Sequence, residues 1–216
     1  MLLYHGSNTL GIDSLEPRLA DHDRPYIYLT VNPVVAALYL SNAVERPYYW
    51  FPYGYRKDGI VEYHELFPNA LSEAAEGKSG CIYTVEADEN AVIPFPNNPN
   101  ARLGTVPLKV QDTLYIPDCY QWLMEQEKKG LFAVSRFEEK TERSLNWWYD
   151  AVLRYITENR MIEAPECSYA RFVREKFPWI WEKYVRTEST RQIWRWSCRA
   201  STKERCEIGI EKGGAL

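Results

Sequence analysis

The hydrophobic pattern of this chain changes period near Thr141. Before that point short apolar runs alternate with turns rich in Pro, Gly, Asn and Asp, the pattern of strands. After it, apolar residues recur at helical spacing. Strands therefore fall mainly in the first 120 residues and helices in the last 75. This segregation excludes an alternating βαβ chain and predicts an α+β fold. The division expected from it is a domain over residues 1–135 and a helical, Trp-rich extension over 141–206 packed on it.

Local signals place the elements. "MLLYH" reads as a first strand, "GIDSLEPRLADHDRP" as a loop, and "YIYLT" as a half-buried second strand. In "NPVVAALYLSNA" Asn32 can cap a helix and Pro33 suits its first position, with Val34, Ala37 and Leu38 at helical spacing. "YYWFPYGYRKDG" reads as an aromatic loop packed on the core. A helix is predicted over Pro68–Ala75, ended by Gly77, then a strand in "CIYTVEA". Asn and Pro predict that "PFPNNPNARLG" lacks regular structure. "VPLKVQDTLYIPD" gives one or two strands, with Leu108, Val110 and Leu114 inward and Lys109, Gln111 and Thr113 on the other face. "CYQWLMEQEKKG" is a helix closed by Gly130. Further on, "SLNWWYDAVLRYITENR" puts Leu145, Trp148, Val152 and Tyr155 on one helix face. "SYARFVREKFPWIWEKYV" and "STRQIWRWSCRA" continue the helices, with a break at Pro178.

The 216 residues suit one domain, or one domain with an appended subdomain. The longest apolar runs fall far short of the roughly 18 residues that span a membrane. The N-terminus has no basic segment before its leucines, so no signal peptide is expected. Five cysteines, odd in number and without CxxC spacing, predict reduced thiols in a cytoplasmic protein. No metal site is expected, because the three histidines share no ligand spacing with them. Neither GxGxxG nor GxxxxGK[ST] occurs. The net charge of −4 conceals a basic segment, Arg171 to Arg205, with ten Lys and Arg against four Glu. Its tryptophans, Trp179, Trp181, Trp194 and Trp196, suit either nucleic-acid stacking or the buried faces of amphipathic helices.

The chemistry-bearing residues cluster at the start. His5-Gly6-Ser7 follows the first strand, Tyr28-Leu29-Thr30 ends the second, and Tyr39 lies in the helix after it. Imidazole both donates and accepts hydrogen bonds. Gly6, without a side chain, leaves its backbone N–H and C=O open to close approach. Ser7 adds a hydroxyl, and Tyr28 and Tyr39 add two phenol rings that could converge with them on one cleft.

"LYHGS" resembles the first signature of the ADP-ribosyltransferase fold, of the poly(ADP-ribose) polymerase type with an H-Y-E triad. "YIYLT" with Tyr39 eleven residues after Tyr28 resembles the second. The resemblance spans roughly residues 1–120 and its motifs lie within 3–40. It implies a split β-sandwich core and an NAD+-dependent mono-ADP-ribosyltransferase or NAD+ glycohydrolase, with NAD+ as substrate and a protein or nucleic-acid acceptor. It implies NAD+ binding by His5, Gly6, Ser7, Tyr28, Thr30 and Tyr39. His5 and Tyr28 would also be catalytic. The family places a glutamate on a later strand, where this chain has Gln111; Asp112, Glu65 and Glu86 are the other acids considered. Ala36 stands where polymerases have a serine. The alternative is a catalytically silent module that binds ADP-ribose, a nucleotide or a protein on the same fold.

Overall fold

In the computed structural model, which describes residues 1–19, 24–40, 52–95 and 98–188, the first strand lies inside a large sheet. Its strands are β1 (Leu2–Ser7), β2 (Ser14–Leu15), β3 (Ile27–Thr30), β6 (Gly80–Glu86), β7 (Val92–Phe95), β8 (Asn98–Gly104) and β9 (Leu108–Ile116). They run in the order β2-β9-β6-β1-β3-β8-β7, and every pair is antiparallel. A second sheet joins β4 (Tyr53–Tyr55) to β5 (Val61–His64), and β5 runs parallel to β10 (Phe132–Ser135). Helices α1 (Pro33–Leu38), α2 (Ala70–Ala75) and α3 (Cys119–Lys128) complete this mixed α+β unit.

Two apolar clusters follow from strand alternation. Alternate residues of a strand point to opposite faces. On one face of the large sheet Leu3, Tyr83, Val85, Ile27 and Leu29 form a cluster with Leu15, Leu108 and Val92. Those last three come from both ends of the strand order, so the sheet curls around this cluster. On the other face Ile82 and Ile116 join α1, α2 and α3 and the inner residues Val61, Tyr63 and Phe132 of the small sheet. One core thus lies between the two sheets.

The local signals at helix ends hold. Asn32 Oδ1 accepts from the Val34 N–H at 2.8 Å, and Pro33 opens α1. Gly77 and Gly130 follow α2 and α3 at φ +68° and +73°, the left-handed region in which glycine is unstrained. The segment expected to be irregular, "PFPNNPNARLG", instead contributes the end of β7 and all of β8. Pro94 is tolerated because β7 is the sheet's edge and its register shifts there. The aromatic loop is likewise corrected, since Tyr53–Tyr55 is a strand; residues 48–51 of it lie outside the described ones. β2, β5 and β10 were not foreseen, and β10 places a strand beyond the first 120 residues.

The chain divides into two compact units, Met1–Glu142 and a second beginning at Arg143. The second holds α4 (Glu142–Glu158, whose first residue is the last of the first unit), α5 (Ser168–Lys176) and a helix over residues 178–188, which we label α6. α5 stops at Phe177, just before Pro178, as expected. Leu145, Trp148, Val152 and Tyr155 lie on the less exposed side of α4. Tyr149 packs on Phe177 at 5.6 Å between ring centroids, and Tyr155 on Tyr169 at 5.1 Å. The tryptophans divide: Trp179 is 50% exposed, whereas Trp181 is half-buried beneath the Arg174 guanidinium at 5.8 Å. "STRQIWRWSCRA", with Trp194 and Trp196, falls wholly outside the described residues. Among those residues no helix is long and apolar enough to cross a membrane.

Candidate functional site: the seam between β1 and β3

β1 is in register with β6 along all six of its residues, from Leu2 opposite Glu86 to Ser7 opposite Cys81. Its pairing with β3 is a single position, Tyr4 opposite Thr30. From there toward Ser7 and Ile27 the ladder between the two strands stops, leaving a seam inside the sheet. His5 bridges it: Nδ1 lies 2.9 Å from the Tyr28 carbonyl oxygen. Since a carbonyl only accepts, Nδ1 carries the proton and Nε2 is left as the acceptor of a neutral ring. Burial holds the His5 pKa below its ordinary value, the bond to Tyr28 opposes this, and the nearby Arg18 guanidinium lowers it further. The imidazole is therefore neutral at pH 7.

Alternation sends His5, with Leu3 and Ser7, to the curled face of the sheet, where their partners on β6 are Tyr83, Val85 and Cys81. Gly6 turns to the opposite face, against α1. There the Ala36 carbonyl oxygen occupies the place of a Cβ, and the Ala36 carbonyl carbon lies 2.8 Å from it. The glycine expected to admit a ligand is thus required by helix packing. The departure at Ala36 has the same physical setting: this residue is 1% exposed, and its carbonyl sits on β1. Ser7 Oγ accepts from the Thr9 N–H at 3.1 Å, turning the chain out of β1.

Tyr28 and Thr30 alternate with Ile27 and Leu29, so they face the α1 side. Thr30 Oγ1 accepts from the Asn32 N–H at 3.2 Å. Burial, with Tyr53 beside it, pushes the Tyr55 pKa up to about 12. Tyr39 caps α1 and is 40% exposed; its hydroxyl lies 3.4 Å from that of Tyr53, with the rings edge to face at 6.4 Å. Tyr53 meets Tyr55 in the same way at 6.5 Å. The result is an aromatic group, Tyr39, Tyr53 and Tyr55, on the side of the sheet where the Tyr28 ring lies. A ligand that touched both the imidazole and these rings would have to lie in the seam. Sequence reasoning missed Tyr53, Tyr55 and Arg18. The first two were visible only as an aromatic cluster, and nothing local marked Arg18.

The expectation for Gln111 does not survive. β9 pairs with β6, not with β1, so it lies about 10 Å from β1, two strand spacings, and on the side away from the seam. A bulge breaks the assumed alternation: Val110 pairs with Val85 and Asp112 with Thr84, leaving Gln111 as the extra residue. Leu114, expected inward, is 45% exposed. The residue level with His5 across β6 is Thr113. The other acids are placed elsewhere. Asp112 accepts from the Thr113 N–H, Glu86 is exposed opposite Leu2, and Glu65 is buried beside α2. Among the described residues no three His, Cys, Asp or Glu are grouped as metal ligands.

One prediction arises directly. Burial lowers the pKa of His5 and also of His64, whose neighbour Lys140 adds to the effect. The unfolded chain then binds more protons below the ordinary value of 6.5. The stability linked to these residues is complete above that pH and is lost as pH falls through their depressed folded values. Proton NMR titration should show both imidazoles titrating below 6.5; a His5 that titrates at or above it would contradict the buried neutral ring. His22 lies outside the described residues.

The chain matches no protein-family model, no curated protein and no solved structure.

Proposed function

We propose that this protein binds NAD+ at the seam between β1 and β3 and transfers one ADP-ribose unit to a protein, a nucleic acid or water. The observation that carries the reading is the interruption of β1–β3 pairing in front of His5 and Gly6, with the imidazole anchored by Nδ1. An interrupted ladder leaves strand backbone for a planar carboxamide to pair with. The fixed imidazole leaves Nε2 for a ribose hydroxyl. Tyr28 and Tyr39 share one side of the sheet, which supports their stacking on the nicotinamide ring. A large and a small sheet on one core support the split β-sandwich that the resemblance implies.

Breaking the nicotinamide–ribose bond develops positive charge on the ribose, which a fixed carboxylate would stabilise. The charge that acts on His5 is instead that of Arg18, a cation, and Gln111 is remote from the seam. This favours the second reading, a module that binds ADP-ribose or a nucleotide without turning NAD+ over, with Arg18 facing the ligand's phosphates.

His5→Ala tests the shared premise. Loss of a polar contact in the seam should raise the Kd for NAD+ about 5- to 150-fold, equivalent to about 1 to 3 kcal/mol, in a titration calorimeter. Circular dichroism should show the fold retained. Equal affinity in a folded variant would remove His5 from the site. Release of nicotinamide from NAD+ by the wild type then separates transfer from binding: turnover abolished by His5→Ala supports the enzyme, and binding without turnover supports the module.

A further inference from the structure

The outer face of the small sheet gathers polar side chains that the seam does not use. In β5, Val61 and Tyr63 point into the core, so Glu62 and His64 point outward. β10 runs parallel beside it, with Ser135 in register with His64. Registered residues on neighbouring strands share a face. On the other side of β5, Gly54 is opposite Glu62, and a Cβ on it would stand 3.9 Å from His64 Nε2. This bare position leaves room above the strand. The His64 Nε2 lies 3.6 Å from the Glu62 carboxylate, and both side chains are partly exposed.

Lys140 completes the group. Its Nζ donates to Ser135 Oγ at 2.6 Å. Burial pulls the Lys140 pKa down, while Glu62, Glu65 and Glu139 oppose it; the Lys140 charge in turn lowers that of His64. Glu65 holds the arrangement from behind. Its N–H donates to the Ser135 carbonyl at 3.1 Å, and its carboxylate accepts from the Phe137 N–H at 3.3 Å. The short segment from Ser135 to Lys140 is therefore clamped to the end of β5. A hydroxyl on the last residue of a strand, a lysine amine in contact with it, and a fixed backbone between them are the parts of an activated nucleophile.

We propose that Ser135 and Lys140 form a serine–lysine nucleophilic dyad that accepts acyl groups from small, uncharged or cationic carboxylic esters. The surrounding Glu62, Glu65 and Glu139 disfavour phosphate and carboxylate substrates by repulsion. In the reaction the Ser135 Oγ proton passes to the neutral Lys140 amine as Oγ bonds to the ester carbonyl carbon. The ester C–O bond then breaks, and the Lys140 ammonium returns the proton to the departing alkoxide, releasing an alcohol. Water, deprotonated by Lys140, attacks the acyl-serine, and the carboxylic acid leaves as Oγ recovers its proton. The dyad is independent of NAD+ binding at the seam.

The test uses the full chain, a biotinylated fluorophosphonate, which traps a nucleophilic serine by displacing fluoride, and p-nitrophenyl acetate as ester. Mass spectrometry of the digested protein should locate the phosphonyl adduct on Ser135, and Ser135→Ala should abolish it. Lys140→Arg keeps the cation and a hydrogen-bond donor but cannot act as base, so labelling and ester cleavage should slow about a hundredfold or more. Wild-type labelling should rise with pH as Lys140 loses its proton. The absence of a Ser135 adduct on the folded wild type would overturn the dyad. So would equal rates in folded Lys140→Arg, or an adduct confined to another residue.

Discussion

Gly6→Ala is expected to destabilise the first unit more than any other single-methyl addition in β1. The new Cβ would stand on the Ala36 carbonyl oxygen and within 2.8 Å of its carbon. Those atoms are backbone, so no side-chain rotation relieves the clash. α1 cannot retreat cheaply, because Val34, Val35, Ala36, Ala37 and Leu38 are all buried in the core between the sheets. Overpacking usually costs about 1 to 3 kcal/mol, and a rigid backbone contact belongs at or above the upper end. Urea denaturation should therefore show a loss of about 3 kcal/mol or more with the slope unchanged. A variant within about 0.5 kcal/mol of wild type would mean that α1 is free to move off β1.

What was legible in the sequence was local. Asn32-Pro33 starts α1, and Gly130 ends α3, because capping depends on a few adjacent residues. The change of period near Thr141 is likewise a local signal, and the chain divides into compact units after Glu142. The strands that escaped notice are short and depend on distant partners. β10 is four residues long and pairs with β5 some seventy residues earlier in the chain. Its sequence, Phe132–Ser135, carries no marker of that partner. β7 was obscured by Pro94, which an edge strand tolerates.

The candidate site was legible only in its residue types, for the same reason. His5, Gly6 and Tyr28 were marked by residue type, and a hydrogen bond between β1 and β3 joins two of them. Their faces could be derived only from register, which shows that the imidazole and the Tyr28 side chain start on opposite sides of the sheet. Gln111 failed because alternation assumes an unbroken strand, and one bulge shifts every residue beyond it to the other face. Lys140 and Ser135 are five residues apart across a turn, and no spacing rule marks such a pair.

Glu65→Ala should produce the second large loss. Glu65 was one of the acids considered for catalysis, but it is 4% exposed and its carboxylate serves backbone donors. One oxygen accepts from the Leu71 N–H at 3.1 Å, at the start of α2. The other accepts from the Phe137 N–H at 3.3 Å, at the turn that leads to Lys140. Truncation leaves both N–H groups without their acceptor, and each buried orphan costs about 1 to 3 kcal/mol. Denaturation should thus register a loss of about 2 to 6 kcal/mol. Glu65→Gln should fall between, because its amide offers one oxygen for two donors and turns an N–H toward the other. The same two variants read out the outer face of the small sheet. If the carboxylate clamps the segment from Ser135 to Lys140, fluorophosphonate labelling of Ser135 should drop in folded Glu65→Gln even where global stability is largely kept. Wild-type stability in Glu65→Ala would show that water replaces the carboxylate at both N–H groups and that the clamp is not needed to hold the turn.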